Sequence, residues 1–408
     1  MVWAMTDETL SVPFDEDSYY QDPAGLFAQR RESCPVAPVQ MPDGRRMWMV
    51  TRYADVRGAL TDPRLGKDVH RFPGRSLSWP SEAVGLHAHM LHRDGPDHTR
   101  LRRLVQQAFT PRRVAQLRPR VEEIVDGLLD EMEMAAARGG TIDLLDAYAR
   151  PLPITVLFEL LGVPTPDRAW TTAAVLDYDD RAKAERVVRE LAAYITDLVA
   201  AKRAEPGDDL ISALVRARDD SGIDGAEAQL SDVELLSAIF QLIMAGFDTT
   251  VNLIASGTLG LLTHPQEAAR LRKDPSLLPA AVEELLRFTN PLNHATDRFT
   301  TEDTPIGDVV VPTGEWVLLA TSSANRDPDQ YPDPDRLDVG RDTSGHLAFG
   351  HGIHYCLGAP LARMEAEVAL GALLARFPEL SLAVPEEELR WRPTSLMNGL
   401  TSLPVRIA

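Results

Sequence analysis

The stretch from Ser231 to Pro265 is the longest helical pattern in the chain and the feature that most limits its fold. Apolar residues recur at helical spacing throughout it, and Ser231 with Glu234 match a capping box at its start. About 32 residues at about 1.5 Å each correspond to a helix of about 48 Å. We therefore predict a long central helix that crosses the molecule.

The middle of this pattern contains residues that do not suit a buried helix. Gly246, Asp248, Thr249 and Thr250 interrupt its most apolar part, and such residues weaken a helix or lose hydration when buried. One interpretation is that Asp248 faces water while the threonines bond to carbonyls one turn earlier. The other is that these residues are kept for function. The pattern alone leaves both open.

The rest of the chain predicts a mainly α protein with small β-sheets, an α+β fold. Residues 35–50 read as a hairpin around Pro42-Asp43-Gly44, and extended segments return near HATDRFT and GDVVVPTGEWVLLAT, with a turn at residues 312–314. Between them helical periodicity dominates, for example over 121–135, 181–203 and 210–217. Since no linker or repeat divides the sequence, we expect one domain over residues 1–408.

Charge and composition exclude several classes of function. Hydrophobic residues make up 44% of the chain, enough for a sizeable core, and the net charge is −19. This acidic balance argues against nucleic acid and anionic membranes as partners. The first residues, MVWAMTDETLSVPFDED, show no basic leader or long apolar run. We expect a cytoplasmic protein.

The two cysteines differ sharply in their surroundings. Cys34 precedes a proline without ligand-like neighbours, so we expect it to be inert. Cys356 stands in FGHGIHYCLGAPLAR, where Phe349, Gly352, Cys356 and Gly358 form the pattern FxxGxxxCxG. Chance would produce this pattern in a chain of this composition on the order of once in five thousand. A helical pattern follows Cys356, so helix-start amides are expected to stabilise its thiolate.

With this motif the chain resembles the cytochrome P450 superfamily, in particular soluble bacterial members, over nearly its entire length. The resemblance implies the P450 fold, with haem b as cofactor and Cys356 as the ligand of its iron. The cofactor-binding positions that it implies lie in the segments HTRLRR, AGFDTT, TDRFT and the cysteine loop: His98, Arg102, Ala245, Arg298, Phe349, His354, Cys356 and Gly358. His98, Arg102, Arg298 and His354 match positions that hold the haem propionates.

The resemblance also decides the question of the polar residues in the long helix. AGFDTT matches the family's oxygen-binding groove, which implies that Asp248 helps to deliver protons and that Thr249 supplies a catalytic hydroxyl. EELLR resembles the family's structural ion pair, here Glu284 and Arg287, and Arg336 is predicted as its third member.

The activity implied is that of a monooxygenase, which inserts one atom of O2 by hydroxylation or epoxidation. The sequence resembles those of actinobacterial enzymes that tailor macrolides and other polyketides. A bulky, mostly aliphatic secondary metabolite is therefore the expected substrate. A steroid or terpenoid hydroxylase is the alternative. A peroxide-driven enzyme is disfavoured by Asp248 and Thr249, and a helper protein for a glycosyltransferase is disfavoured by Cys356. Two isolated cysteines also argue against a zinc or iron–sulfur site.

Electron donors are expected to be separate proteins, because the chain shows no flavin or iron–sulfur domain of its own. Residues 93–120 hold eight arginines against Asp94 and Asp97. This surplus indicates either a solvated helix face or a docking patch for an acidic ferredoxin, which a ferredoxin reductase would reduce. We expect a monomer whose pocket is lined by residues of the loop 79–91, by Leu176, Leu242 and Ala245, and by residues 292–295 and Met397, with Asn293 and His294 as candidate orienting groups.

Overall fold

The computed structural model describes residues 16–41, 44–68, 86–176, 181–218 and 229–407. Helices dominate these residues and the strands are short, so the predicted mainly α fold with small sheets is confirmed. Pro42 and Asp43 of the predicted turn, the loop residues 79–85 and the side chain of Leu176 lie outside the described part.

The helices of the described residues are α1 (Glu16–Gln21), α2 (Pro23–Ser33), α3 (Tyr53–Ala59), α4 (Gly95–Ala108), α5 (Pro111–Ala137), α6 (Pro151–Leu161), α7 (Thr165–Leu176), α8 (Arg181–Ala204), α9 (Leu210–Arg216), α10 (Asp232–Ala245), α11 (Asp248–Thr263), α12 (Pro265–Lys273), α13 (Leu278–Thr289), α14 (Thr321–Ala324) and α15 (Ala359–Arg376). The strands are β1 (Val36–Gln40), β2 (Arg46–Val50), β3 (Leu65–Gly66), β4 (Ile142–Asp143), β5 (Arg298–Thr300), β6 (Thr304–Ile306), β7 (Val309–Val311), β8 (Trp316–Leu319), β9 (Ser381–Leu382) and β10 (Pro404–Arg406).

The chain separates into two compact units. The first consists of residues 1–66, 124–149 and 249–408, and the second of residues 67–123 and 150–248. The expectation of a single domain stays a prediction.

The first unit contains the β-structure. Its largest sheet has the order β1-β2-β8-β5-β3. The predicted hairpin is present, with Val36 opposite Val50 in an antiparallel pair. β2 also runs parallel to β8, with Trp48 opposite Val317. Because β-branched and aromatic residues suit a half-buried pleated surface, these strands pack their apolar faces against α3.

The helical part of the first unit positions the cysteine loop. α13 and α15 share a core with α11 and α12, built from leucines such as Leu253, Leu285 and Leu370. Glycines at Gly257 and Gly260 of α11 leave room for Leu285 and Leu370, since a Cβ there would already touch them at 3.5–3.6 Å. Because this core is closely packed, it holds α15 rigidly in place.

The second unit is helical in its described part. α8 packs against α9 and α10, and α4 packs against α9. Local signals explain where these helices begin: Asp209 caps α9 through the Ser212 amide. The predicted capping box of α10 is present, because Ser231 and Glu234 exchange side-chain bonds to each other's amides. The helical predictions for 181–203 and 210–217 are likewise confirmed to within one residue.

The predicted long helix is interrupted, which corrects the expectation of one continuous segment. α10 ends at Ala245 and α11 begins at Asp248, with Gly246 and Phe247 between them. A side chain at position 246 would place its Cβ 2.5 Å from the Leu242 carbonyl oxygen, so the backbone is too crowded there for any residue but glycine. The break therefore falls where the sequence weakens the helix.

Among the described residues, one stretch is long and apolar enough to cross a membrane, namely 232–263. Within its most apolar part, 61% is buried inside the protein. Burial of this kind is what the core helix of a folded protein shows.

Candidate active site

The cysteine loop is shaped by its backbone. The amide of Cys356 donates to the Phe349 carbonyl at 2.9 Å, which closes the loop. Gly350 and Gly352 have φ values of +72° and +76°, a region that favours glycine. At Gly352 a Cβ would also lie 3.2 Å from the Leu60 carbonyl oxygen. The glycine of the FxxGxxxCxG pattern is thus required by both its conformation and its neighbours.

The sulfur of Cys356 lies against the start of α15. Gly358 is the residue that precedes this helix, and a Cβ on it would stand 3.9 Å from the Cys356 Sγ. The Cys356 side chain is exposed. The start of a helix, with its backbone amides and the positive end of its dipole, favours an anionic ligand at such a place.

Phe349 and α15 are fixed by an ion pair beneath the loop. Arg363 bonds Glu283 through two nitrogens at 2.6 and 2.8 Å and lies over the Phe349 ring at 4.6 Å from its centroid. His346 also bonds Glu283 at 2.9 Å. Arg363 is the dominant favourable partner, and together with His346 it holds the pKa of Glu283 at about 2 despite burial. Phe349 is therefore held in one orientation next to the cysteine.

Two further predicted cofactor-binding residues belong to the first unit. Arg298 is buried on β5, in the interior of the largest sheet, and its Nη1 donates to the Leu65 carbonyl at 3.5 Å. His354 is half-buried in the short turn of residues 352–354, two positions before Cys356. His354 is thereby confined to the cysteine loop by the chain itself.

In the second unit, α4 carries His98 and Arg102. They lie four residues apart and therefore share one face of the helix. His98 is buried at 2% exposure, and Arg102 is half-buried. Both side chains can donate hydrogen bonds, so this face of α4 is suited to bind carboxylates.

The predicted catalytic residues Asp248 and Thr249 lie at the break between α10 and α11. Ala245 is exposed at the end of α10, and Asp248 and Thr249 are the first two residues of α11, both half-buried. Desolvation raises the pKa of Asp248 to about 6, while the positive charge of Arg150 acts in the opposite direction. A carboxyl group with this pKa gains and loses protons near neutral pH.

The predicted structural ion pair is present, with a different third member. Arg287 binds both carboxylate oxygens of Glu284 at 2.6 and 2.9 Å, and both side chains are fully buried. Arg341, not Arg336, supplies the second guanidinium, 3.2 Å from Glu284. Arg336 points away, 64% exposed, and contributes its carbonyl to Arg287 instead. The prediction of Arg336 is therefore wrong, because its guanidinium pairs with Asp338 at 3.5 Å rather than with Glu284.

The positive charge of the arginines in residues 93–120 is neutralised to a larger extent than the sequence indicates. At least four of the eight meet carboxylates, mostly from outside the segment: Arg93 with Asp68, Arg100 with Glu234, Arg113 with Asp208, and Arg120 with Glu123 and Glu159. The surplus of positive charge on this part of the second unit is thus partly neutralised.

Comparisons with known proteins agree with this geometry. The sequence profile of the cytochrome P450 family, described as "Cytochrome P450", matches residues 156–404. The chain is 45% identical over 406 residues to the 6-deoxyerythronolide B hydroxylase of Saccharopolyspora erythraea, covering 96% of this chain and 98% of the relative. It is 46% identical over 396 residues to the vitamin D(3) 25-hydroxylase of Pseudonocardia autotrophica, covering 95% and 94%.

Solved structures show the same relationship. The tirandamycin C-bound P450 monooxygenase TamI superimposes with a TM-score of 0.84 at 46% identity, covering 96% of this chain and 99% of that one. Both the family match and the full-length relatives extend far beyond the cysteine motif. The chain therefore belongs to the cytochrome P450 family, a family of haem-iron monooxygenases.

Proposed function

We propose that this enzyme carries haem b and that the Cys356 thiolate is the ligand of its iron. The observation that carries the proposal is the position of the Cys356 sulfur, next to Gly358 at the start of α15. These residues fit a haem for two reasons. A thiolate is stabilised there by helix-start amides, and the absence of a side chain at Gly358 leaves space for a flat group to approach the sulfur closely.

The remaining cofactor-binding residues are proposed from their positions in the family motifs. His98, Arg102, Arg298 and His354 supply four donors of hydrogen bonds, which suit the two propionate carboxylates of a haem. Ala245 and Phe349 supply apolar contact. The half-buried and buried state of the four polar residues supports this role, because partly desolvated donors bind carboxylates more strongly than exposed ones.

When bound, the haem supplies the activation of O2 and the oxidation of the substrate. Asp248 is proposed to pass protons into the site, because a pKa of about 6 lets its carboxyl be protonated and ionised at working pH. Thr249 follows Asp248 in α11. We propose that its hydroxyl forms hydrogen bonds along the path by which protons enter the site. Cys356 would hold the haem iron through its thiolate, an electron-donating type of ligand that favours cleavage of the O–O bond in such haems.

For the substrate we propose a bulky, mostly aliphatic macrolide or related polyketide, hydroxylated or epoxidised in secondary metabolism such as antibiotic biosynthesis. The name of the 6-deoxyerythronolide B hydroxylase and the tirandamycin C complex of TamI support this class. A steroid or terpenoid substrate is the second candidate, supported by the vitamin D(3) 25-hydroxylase. Titration with 6-deoxyerythronolide B, tirandamycin C and vitamin D(3) distinguishes them. The correct class shifts the haem to high spin at low micromolar concentration, whereas a shift with vitamin D(3) alone would exclude the polyketide.

The expected pocket residues of the first unit lie together. Leu292 and Met397 form an isolated β-bridge, and the Asn293 amide donates to the Leu396 carbonyl at 2.8 Å. Asn293 and His294 are both buried, and each bonds a backbone carbonyl, at Ser395 and Ala295 respectively. We therefore assign the substrate contacts of this segment to Leu292, Ala295 and Met397 rather than to the two polar side chains.

We propose that a ferredoxin and its reductase deliver electrons to a monomeric, cytoplasmic, single-domain enzyme, without nucleic acid or membrane as partner. The arginines of residues 93–120 support docking of an acidic protein. Among them Arg112 is exposed, whereas Arg113 already pairs with Asp208 at 3.1 Å. Charge reversal at Arg112 should slow reduction at low salt more than reversal at Arg113 does. Reduction rates that ignore both changes and the ionic strength would reject this docking site.

The ligand assignment is tested by spectroscopy of the reduced protein under carbon monoxide. Wild-type protein should show the Soret band of thiolate-ligated haem, and Cys356→His should lose it while Cys34→Ser keeps it. Persistence of the band in Cys356→His would overturn the assignment of the ligand.

A further inference from the structure

Three histidines that are not among the proposed haem-binding or catalytic residues lie together on the segment that leads into α4. His87, His89 and His92 belong to the second unit, and their candidate ligand nitrogens all lie within 4.8 Å of one another. The Nδ1 atoms of His87 and His92 are 3.1 Å apart. The ring centroids of His89 and His92 are separated by 4.6 Å. The sequence argument against zinc considered cysteines alone and did not detect this cluster.

The cluster is buried more than histidines usually are. His87 and His89 are 6% and 5% exposed, and His92 is half-buried. Within the described ranges, the Nδ1 of His89 is buried without a hydrogen-bond partner. An unsatisfied buried nitrogen costs free energy, so the protein alone does not explain the arrangement.

The distances match a metal centre of one class. Imidazole binds Zn²⁺ at about 2.0–2.1 Å, and tetrahedral geometry then places ligand nitrogens roughly 3.3 Å apart. The His87–His92 separation of 3.1 Å is already close to this value, and the third nitrogen lies within 4.8 Å of both. Three neutral imidazoles are ligands preferred by Zn²⁺, Cu²⁺ and Ni²⁺ over hard cations such as Mg²⁺.

The cationic side chains near the cluster, Arg93 and Lys67, are accompanied by the acidic residues Asp68 and Asp94. Arg93 follows His92 directly, and Asp68 pairs with it at 3.5 Å. Asp94 accepts from the backbone amides of Lys67 and Asp68 at 2.9 and 3.0 Å.

We infer that His87, His89 and His92 form a binding site for a transition-metal dication of the zinc class, with solvent completing its coordination. His92 stands three residues before Gly95, where α4 begins, and His98 lies in the first turn of that helix. A bound ion would tie residues 87–92 into one conformation and so fix the entry into this helix.

The test uses zinc chloride as the probe on the haem-loaded enzyme, prepared without a histidine tag and in a Cys34→Ser background. Cys34 is exposed and could otherwise bind zinc adventitiously. After treatment with a chelator and return of zinc, one equivalent per chain should be retained on dialysis. His89→Asn and His92→Asn should each weaken binding by at least about 100-fold, because loss of even an outer-shell partner costs about 10- to 100-fold. His264→Asn is the matched control and should retain one equivalent.

X-ray absorption at the zinc edge reports the ligands without interference from the haem iron. Three imidazole nitrogens at about 2.0–2.1 Å support the site, and this measurement on the unsubstituted histidines decides the matter even if neither variant folds. A retained zinc in both His89→Asn and His92→Asn, less than about a fifth of an equivalent in the parent, or coordination by oxygen alone would each overturn the proposal.

Discussion

The buried ion-pair network around Glu284 allows a direct test of which arginine completes it. We predict that Arg341→Met destabilises the protein far more than Arg336→Met, although the two arginines are five positions apart in one segment. Methionine keeps much of the side-chain length and apolar contact while removing the guanidinium, so the comparison isolates charge and hydrogen bonding.

The magnitude follows from the contacts of each residue. Arg341 is 13% exposed, bonds the fully buried Glu284 at 3.2 Å, and donates to the carbonyls of Pro332, Asp333 and Arg336. Breaking a buried pair costs about 3–5 kcal/mol when the partner is left alone. Glu284 retains both bonds to Arg287, so we expect a smaller loss of about 2–3 kcal/mol, the range of a hydrogen bond to a charged group. Arg336 and Asp338 form an exposed pair at 3.5 Å, and its loss should cost less than about 1 kcal/mol.

The assay is urea unfolding of the haem-loaded protein, followed by far-UV circular dichroism and tryptophan fluorescence. Free energies of unfolding are taken from midpoint and slope for each variant. Arg341→Lys serves as a control that restores the charge without the planar fork, and should fall between wild type and Arg341→Met. Equal losses in the two methionine variants, or a larger loss in Arg336→Met, would refute the assignment of Arg341.

Three further predictions concern protons and the active site. In the wild type, coupled product formation should fall as the pH rises through about 6, where Asp248 loses its proton; Asp248→Asn should lower the rate by about 100-fold or more and abolish this inflection. Thr249→Ala should keep the substrate-induced spin shift while diverting electrons to hydrogen peroxide, and tight coupling in this variant would contradict the role of the hydroxyl. Burial raises the pKa of Glu365, which is 1% exposed, well above its usual value. The folded state therefore retains a proton that the unfolded state releases, and the stability this provides below the ordinary pKa is lost as the pH rises. Relative to wild type, Glu365→Gln should gain free energy of unfolding between pH 5 and pH 8, and parallel stability curves would contradict the account.

Features governed by neighbours in sequence were predictable. The start of α10 at Ser231, the hairpin of β1 and β2, and the approach of Gly358 to the Cys356 sulfur all depend on residues only a few positions apart. In each case a specific side chain, or its absence, determines the local backbone.

Features that depend on the path of the chain in space were not predictable. Apolar periodicity runs without interruption across Gly246, so it could not reveal that the Leu242 carbonyl crowds the helix there. Glu284 pairs with Arg341 rather than with Arg336, and this depends on the path of the chain between the two arginines, which hydrophobic periodicity does not encode. The spacing of His87, His89 and His92 matches neither a helix nor a strand, and only the fold brings their nitrogens within reach of one ion.

The parallel pairing of β2 with β8 has a consequence for synthesis of the protein. Thr51, at the end of β2, accepts a hydrogen bond from Ser323, 272 positions later. At about 5–20 residues per second, roughly 15–55 s pass on the ribosome before the partner strand exists. During that interval the hairpin displays an apolar, unpaired edge of the kind that other chains can join. Slower translation should therefore lower the soluble yield of this enzyme, unless a chaperone covers the edge until β8 emerges.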